Sequence, residues 1–276
     1  MSSEPHSASN ADVWRGPVYQ AWCARFGEPG ALAAELVQRP RAKLAGLDVL
    51  FEGLLGDLRD RPVLNLMGSN GLKAVALALL GAKVSVLDYA PGNADYARAL
   101  AAAAGVTLRY EVGDVLELPN RPELGNQALV FAELGIVHYF QDLAPFAAAV
   151  VAALAPGGCF VLRDFHPVAT KLLAFRGSSA KVRKVRVSGD YFDTRLHPED
   201  APFAKHLPPE QAALLSPVLW RRWTLGEIVT AIAASGLRVR SLVEEPNRSH
   251  ASPGGAPDQA FDLGIPKTFT LVASRD

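Results

Sequence analysis

The sequence predicts an α/β fold, a parallel sheet with helices on both faces, and three observations carry the prediction. Short β-branched runs alternate with longer Ala/Leu runs from residue 62 to about 165. The helical runs between them have the length that joins neighbouring parallel strands. The apolar runs are nearly continuous, as expected of strands buried on both faces.

In chain order, Val63 to Met67 is a compact apolar strand, and the turn Gly68-Ser69-Asn70-Gly71 leads from it into a helical run, Leu72 to Leu80. Val84 to Leu87 is a second strand that ends in Asp88, followed by a helix from about Asn93 to Ala104. Leu108 to Val112 and Ala128 to Ala132 are the third and fourth strands. A helix over Leu143 to Leu154 stops at Pro156-Gly157-Gly158, and a fifth strand runs from Cys159 to Arg163. Residues 168–222 break this rhythm with Pro, charge and aromatics, so they read as an insertion, with a hairpin around Val182 to Phe192. Thr224 followed three residues later by Glu227 is the signature of a capping box. Its helix ends at Ser235-Gly236, a strand covers Leu237 to Val243, and a polar loop (about 246–264) precedes a last strand, Thr268 to Ala273.

Composition bounds the function. The chain has 276 residues, 49% of them hydrophobic, which is enough for a sizeable core. Its 28 basic and 28 acidic residues cancel, which argues against a general polyanion binder, since that affinity rests on Lys and Arg. Two cysteines, Cys23 and Cys159, exclude a disulfide scaffold and a multi-Cys zinc site, and no metal site is expected. The polar start MSSEPHSASNAD lacks a basic, apolar leader pattern, and no run is long enough to span a bilayer. A cytoplasmic protein with no membrane association is therefore expected.

Ligands of an open parallel sheet bind beyond the carboxyl ends of its strands. Gly68 and Gly71 let backbone approach a ligand there, and the next helix presents free N–H groups. Asp88 lies 20 residues after Gly68, the place of an acid that accepts from two ribose hydroxyls. The constellation points to an adenosine-containing cofactor. Neither GxGxxG nor a Walker lysine loop is present.

VLNLMGSNG (Val63 to Gly71), VLDY (Val86 to Tyr89), GDVLELP (Gly113 to Pro119) and LAPGGCFVLRDF (Leu154 to Phe165) together resemble the class I S-adenosylmethionine (SAM) dependent methyltransferase family. The resemblance covers roughly residues 60–165 and returns near 224–273. It implies a Rossmann-like sheet with a C-terminal antiparallel strand. It departs in the first motif: Asn65 replaces the usual acid, and Met67 and Ser69 replace the first two glycines, so only Gly71 matches. By resemblance, Asn65, Met67, Gly68, Ser69, Gly71, Asp88, Tyr89, Asp114, Val115 and Glu133 bind the cofactor, with Asp88 on the ribose, Asp114 at the adenine amino group and Asn65 at the methionine moiety.

The end of the fourth strand, residues 131–139, lies beside the transferred methyl in this family. No Asp/Asn-Pro-Pro-aromatic motif of nucleic-acid amino-methyltransferases occurs there, which leaves Glu133 and His138 as catalytic candidates. An ordinary imidazole pKa near ~6.5 suits His138 as a base. Asp164 and His166 follow the fifth strand and are candidates to face the substrate. Tyr19, Trp22 and Phe26 form a helix-spaced stripe; with Trp14 it reads as core packing or as an aromatic lid, in which Tyr19 is the leading candidate to act at the site. Tyr191, Phe192, Trp220 and Trp223 are candidate walls opposite. The basic run Lys171, Arg176, Lys181, Arg183, Lys184 and Arg186 reads as a solvated edge strand, or as an RNA-binding patch.

The expected protein is one methyltransferase domain over 1–276, with a core of about 60–167 and 223–276 and a cap from about 12–55 and 168–222. It transfers a methyl group from SAM, leaving S-adenosylhomocysteine (SAH), to a small electron-rich aromatic such as a phenol or indole. The Arg- and Ala-rich, Lys-poor composition suggests bacterial secondary metabolism. Nucleic acid is not an expected partner, and an oligomer is compatible with the sequence. Two other readings stay open: an RNA or protein methyltransferase using the basic insertion, and a non-catalytic SAM or nucleotide sensor with an altered glycine loop.

Overall fold

The computed structural model describes residues 10, 12–44, 47, 57–175, 185–246 and 265–276. Helices α1 (Val18–Phe26) and α2 (Pro29–Gln38) come first. Then follow β1 (Pro62–Leu66), α3 (Leu72–Leu79), β2 (Lys83–Asp88), α4 (Pro91–Ala103), β3 (Arg109–Val112), β4 (Gln127–Glu133), α5 (Leu143–Ala153) and β5 (Leu154–Phe165). Two small hairpins are next: β6 (Leu173–Phe175) with β7 (Val185–Val187), and β8 (Leu196–Glu199) with β9 (Val218–Arg221). The short α6 (Pro209–Ala212) lies between β8 and β9, and α7 (Leu225–Ala234), β10 (Arg238–Pro246) and β11 (Pro266–Ser274) follow.

The main sheet has the order β3-β2-β1-β4-β5-β11-β10. The first five strands are parallel, and β11 runs antiparallel to both β5 and β10. The chain enters at β1, winds outward to β3, and returns to β4 on the other side of β1. That reversal opens a crevice at the carboxyl ends of the strands.

Alternation along each strand feeds two cores. Val63, Val86, Phe131 and Val161 join Trp22, Leu36, Val75 and Leu100 on one face. Their neighbours Leu64, Leu87, Val130 and Leu162 join Phe146, Val150, Ile228 and Ile232 on the other. At roughly 25 cal/mol per Å2 of apolar surface removed from water, burying both faces is the main term that holds the sheet between its helices.

Three local expectations are revised, and one hairpin was not foreseen. β5 begins at Leu154, before the Pro-Gly-Gly turn, and its register against β4 shifts between Gln127 and Leu129 as Gly157 takes a φ of +74°. The hairpin expected around Val182 to Phe192 pairs Leu173–Phe175 with Val185–Val187 instead, and its connection lies outside the described residues. The β8–β9 hairpin was not legible, because Leu196–Glu199 finds its partner only after a Pro-rich excursion. Lys171 is buried, not solvated: its ammonium donates to the carbonyls of Asp193 and Arg222, both at 2.6 Å. Arg176, Lys181, Arg183, Lys184 and the Arg186 side chain lie outside the described residues.

Candidate functional site

Beyond the carboxyl ends of the strands lies a cavity of about 1330 Å3. Its first wall is the turn after β1. Met67 and Ser69 both adopt a φ of +50° and Gly71 +75°, so the two positions that lack the family's glycines keep left-handed backbone. Such backbone costs on the order of 1 kcal/mol per non-Gly residue. The fold holds it with a bond from the Met67 N–H to the Leu87 carbonyl and one from the Tyr110 hydroxyl to the Ser69 carbonyl. Gly68 is required by closeness, since a Cβ there would lie 2.6 Å from both Asn65 Oδ1 and Val86 Cγ1. At Gly71 a Cβ would lie 2.5 Å from that of Ala97, so this glycine lets α3 and α4 approach.

Met67, Ser69 and Asn70 line the cavity, whereas Asn65 does not. Its side chain is buried beneath Gly68 and donates to the carbonyls of Leu66 and Phe131 at 3.3 and 3.4 Å. The expected contact of Asn65 with the cofactor is therefore replaced by support of the turn. Asn70, which sequence reasoning missed, accepts from the Leu72 N–H at the start of α3.

Asp88 ends β2 and is buried, with its carboxylate at the cavity wall. Oδ2 accepts from the Ser69 N–H, and Oδ1 accepts from the Ala90 N–H and Asn93 Nδ2, all at 2.9 Å. Burial raises its pKa, against the pull of these donors. Tyr89 follows, with Arg15 donating to its hydroxyl at 3.2 Å. Asp114 caps the short helix Val115–Asn120 by accepting from the Leu116 N–H. Tyr89, Asp114 and Val115 all line the cavity, so the structure brings the second and third sequence segments to one end.

The turn after β4 forms the middle of the cavity. Glu133 is held between Lys73 Nζ at 3.3 Å and Arg163 Nη1 at 3.4 Å, an ion bridge that ties β4 to α3 and β5. Residues 134–137 are clamped by Asp164, whose buried carboxylate accepts from the N–H groups of Gly135, Ile136, Val137 and Phe165 at 2.6–3.0 Å. Asp164 thus holds backbone instead of facing the cavity. The His166 ring is also used internally: Nδ1 accepts from the Val168 N–H and Nε2 donates to Glu244 at 2.6 Å. It is buried and does not line the cavity, so it does not take the substrate-facing, catalytic place expected of it.

His138 lines the cavity, packed at centroid distances of 4.4 Å from Tyr139 and 4.1 Å from Trp220. Its Nε2 is buried and has no hydrogen-bond partner among the described residues. Burial lowers its pKa to about 4, partly opposed by the Asp164 charge. The imidazole is therefore neutral at pH 7 and a weaker base than its ordinary pKa implied. Because the folded pKa lies below the unfolded value, the folded state binds fewer protons in this window. Stability from this group is present above about pH 6.5 and lost as pH falls through about 4. Urea titrations should show the wild type losing up to roughly 3 kcal/mol more than His138→Gln across that window. Parallel losses would show that the histidine titrates normally.

The N-terminal segment and the insertion add aromatic lining to the cavity. Trp14, Trp22 and Phe26 line it from the N-terminal segment, and Trp220 and Leu215 from the insertion. Tyr19 is absent from this lining; its ring packs 5.7 Å from Tyr96, so the cavity-facing side of α1 is that of Trp22 and Phe26. Trp223 is buried and donates to the carbonyls of Val137 and Phe140, while Tyr191 and Phe192 pack edge to face and Phe192 is exposed. These three do not form walls.

A methyltransferase-domain family model matches residues 63–158. A ubiquinone biosynthesis O-methyltransferase from Methylobacterium nodulans is 38% identical over 90 residues, 33% of this chain and 35% of that protein. The chain thus matches about a third of that relative's length. A SAM-dependent methyltransferase from Mesorhizobium loti superposes with a TM-score of 0.61 at 22% identity, over 82% of this chain and 96% of that one. A putative SAM-dependent methyltransferase from Listeria monocytogenes gives 0.60 at 19% identity, over 84% and 99%. The match on residues 63–158 is to a methyltransferase domain, and the fold around it is shared with these solved SAM-dependent methyltransferases.

Proposed function

We propose that this protein binds SAM across the carboxyl ends of β1 and β2 and transfers its methyl group to a small, electron-rich aromatic such as a phenol or indole, in bacterial secondary metabolism. The observation that carries the reading is one continuous cavity with Asp88, Tyr89 and Asp114 at one end and Trp14, Tyr139 and Trp220 at the other. Pockets for a single drug-sized ligand hold roughly 300–1,000 Å3. A cavity of about 1330 Å3 has room for a cofactor and a second molecule.

The residues fit the cofactor. An ionised Asp88 keeps acceptor capacity on Oδ2 for a ribose hydroxyl, and Asp114 is an acceptor suited to an exocyclic amine. When bound, SAM supplies a methyl group on a cationic sulfur, open to in-line displacement. The protein's own part is chiefly placement: orientation of reactants is worth effective molarities up to ~10⁵–10⁸ M, against ~10²–10⁴-fold from a general base. The aromatic faces near the methyl position attract the positive charge. His138, neutral and with a depressed pKa, is suited to accept a hydrogen bond from the acceptor group more than to hold its proton.

Thermal unfolding with SAM, SAH and NAD added separately tests the reading. At 100 times its dissociation constant a ligand stabilises by ~2.7 kcal/mol, a Tm rise of roughly 5–10 °C for a chain of this size. The expected result is a rise with SAM and SAH and none with NAD. A rise with NAD alone overturns the proposal.

A further inference from the structure

The ribose end of the cavity contains a second buried polar side chain that sequence reasoning did not single out. Asn93, in the first turn of α4, is 2% exposed and lines the cavity beside Asp88. Its amide orientation is fixed chemically. The indole N–H of Trp22 can only donate, so Asn93 Oδ1 accepts it, at 2.6 Å, and Nδ2 donates to Asp88 Oδ1.

Counting capacity shows what Asp88 can still take. A carboxylate offers about four acceptor positions. Three are filled, by Ser69, Ala90 and Asn93, and the Tyr89 N–H also pulls on the carboxylate, so at most one is left, on Oδ2. A vicinal diol presents two hydroxyls, so Asp88 alone holds one of them. Asn93 keeps one N–H and one lone pair beyond its bonds to Trp22 and Asp88.

We propose that Asn93 is a second ribose-binding residue, taking one hydroxyl of the cofactor while Asp88 Oδ2 takes the other. Trp22 is its positioning residue, which makes α1 part of the cofactor site. The assignment rests on the SAM reading above.

Calorimetric titration of the full chain with SAH, 2′-deoxy-SAH and 3′-deoxy-SAH tests it. The wild type should lose about tenfold in affinity with each deoxy analogue. Asn93→Ala should bind SAH about tenfold more weakly, and one analogue should then bind as well as SAH does, because the contact it lacks is already gone. Trp22→Phe, which leaves Asn93 on Asp88, should show the same analogue pattern at a few-fold effect, and so tests the assignment even if Asn93→Ala fails to fold. Unchanged SAH affinity in either variant, or equal weakening of all three ligands, overturns the role of Asn93 while leaving the SAM reading intact. A wild type that binds no SAH overturns both.

Discussion

Replacing Asp164 with alanine should lower stability by roughly 3–5 kcal/mol, more than most substitutions in a protein of any kind. Its carboxylate accepts from four backbone N–H groups, those of Gly135, Ile136, Val137 and Phe165. Each buried donor left without a partner costs ~1–3 kcal/mol, and partial relaxation or water entry reduces the sum. Leu134, with a φ of +56°, takes a left-handed conformation that leucine does not favour on its own, and the clamp holds it there. Asp164→Asn keeps the shape but turns an NH2 toward N–H groups, so it should lose a large part of the same stability. Urea unfolding of the two variants measures this directly. A loss under about 1 kcal/mol in Asp164→Ala would show that the turn supports itself. The consequence reaches the site, since this turn leads into His138 and Tyr139 and forms the middle of the cavity.

Asp88→Ala should weaken SAM and SAH binding by roughly ten- to a hundredfold, given ~1.5–3 kcal/mol for a hydrogen bond to a charged group. The variant removes a contact and also the acceptor that holds the Ser69 and Ala90 N–H groups in place. Asp88→Asn relieves the desolvation that raises the pKa of Asp88 but, as in Asp164→Asn, turns an NH2 toward N–H donors, so it should lose stability as well as affinity. The same raised pKa implies that SAH affinity falls on acidification earlier than for an exposed carboxylate. Calorimetry across pH reads both. Wild-type affinity in Asp88→Ala would mean that the ribose is held elsewhere.

Local rules account for the features that are legible in the amino-acid sequence. The two cores on either side of the sheet follow from alternation along β1, β4 and β5. Asp88 at the end of β2 follows from strand length and spacing. The capping box at Thr224 and Glu227 forms with both reciprocal bonds, because its partners are three residues apart and need no other part of the chain.

The misplaced residues share a different cause. A stripe at 19, 22 and 26 tells which side chains share a helix face, but not which of them meets a cavity. Packing of α1 on α4 turned Tyr19 toward Tyr96 and left Trp22 and Phe26 at the site. Asp164 and His166 both follow β5, and the donors and acceptors around them, from the turn after β4 and from Glu244 on β10, decided that they serve structure. By itself, then, the sequence determined the sheet and the acid that ends β2, because periodicity and spacing act over a few residues. Only the tertiary structure decided which polar groups still have hydrogen-bonding capacity to offer a ligand, because that capacity is whatever distant neighbours leave unused.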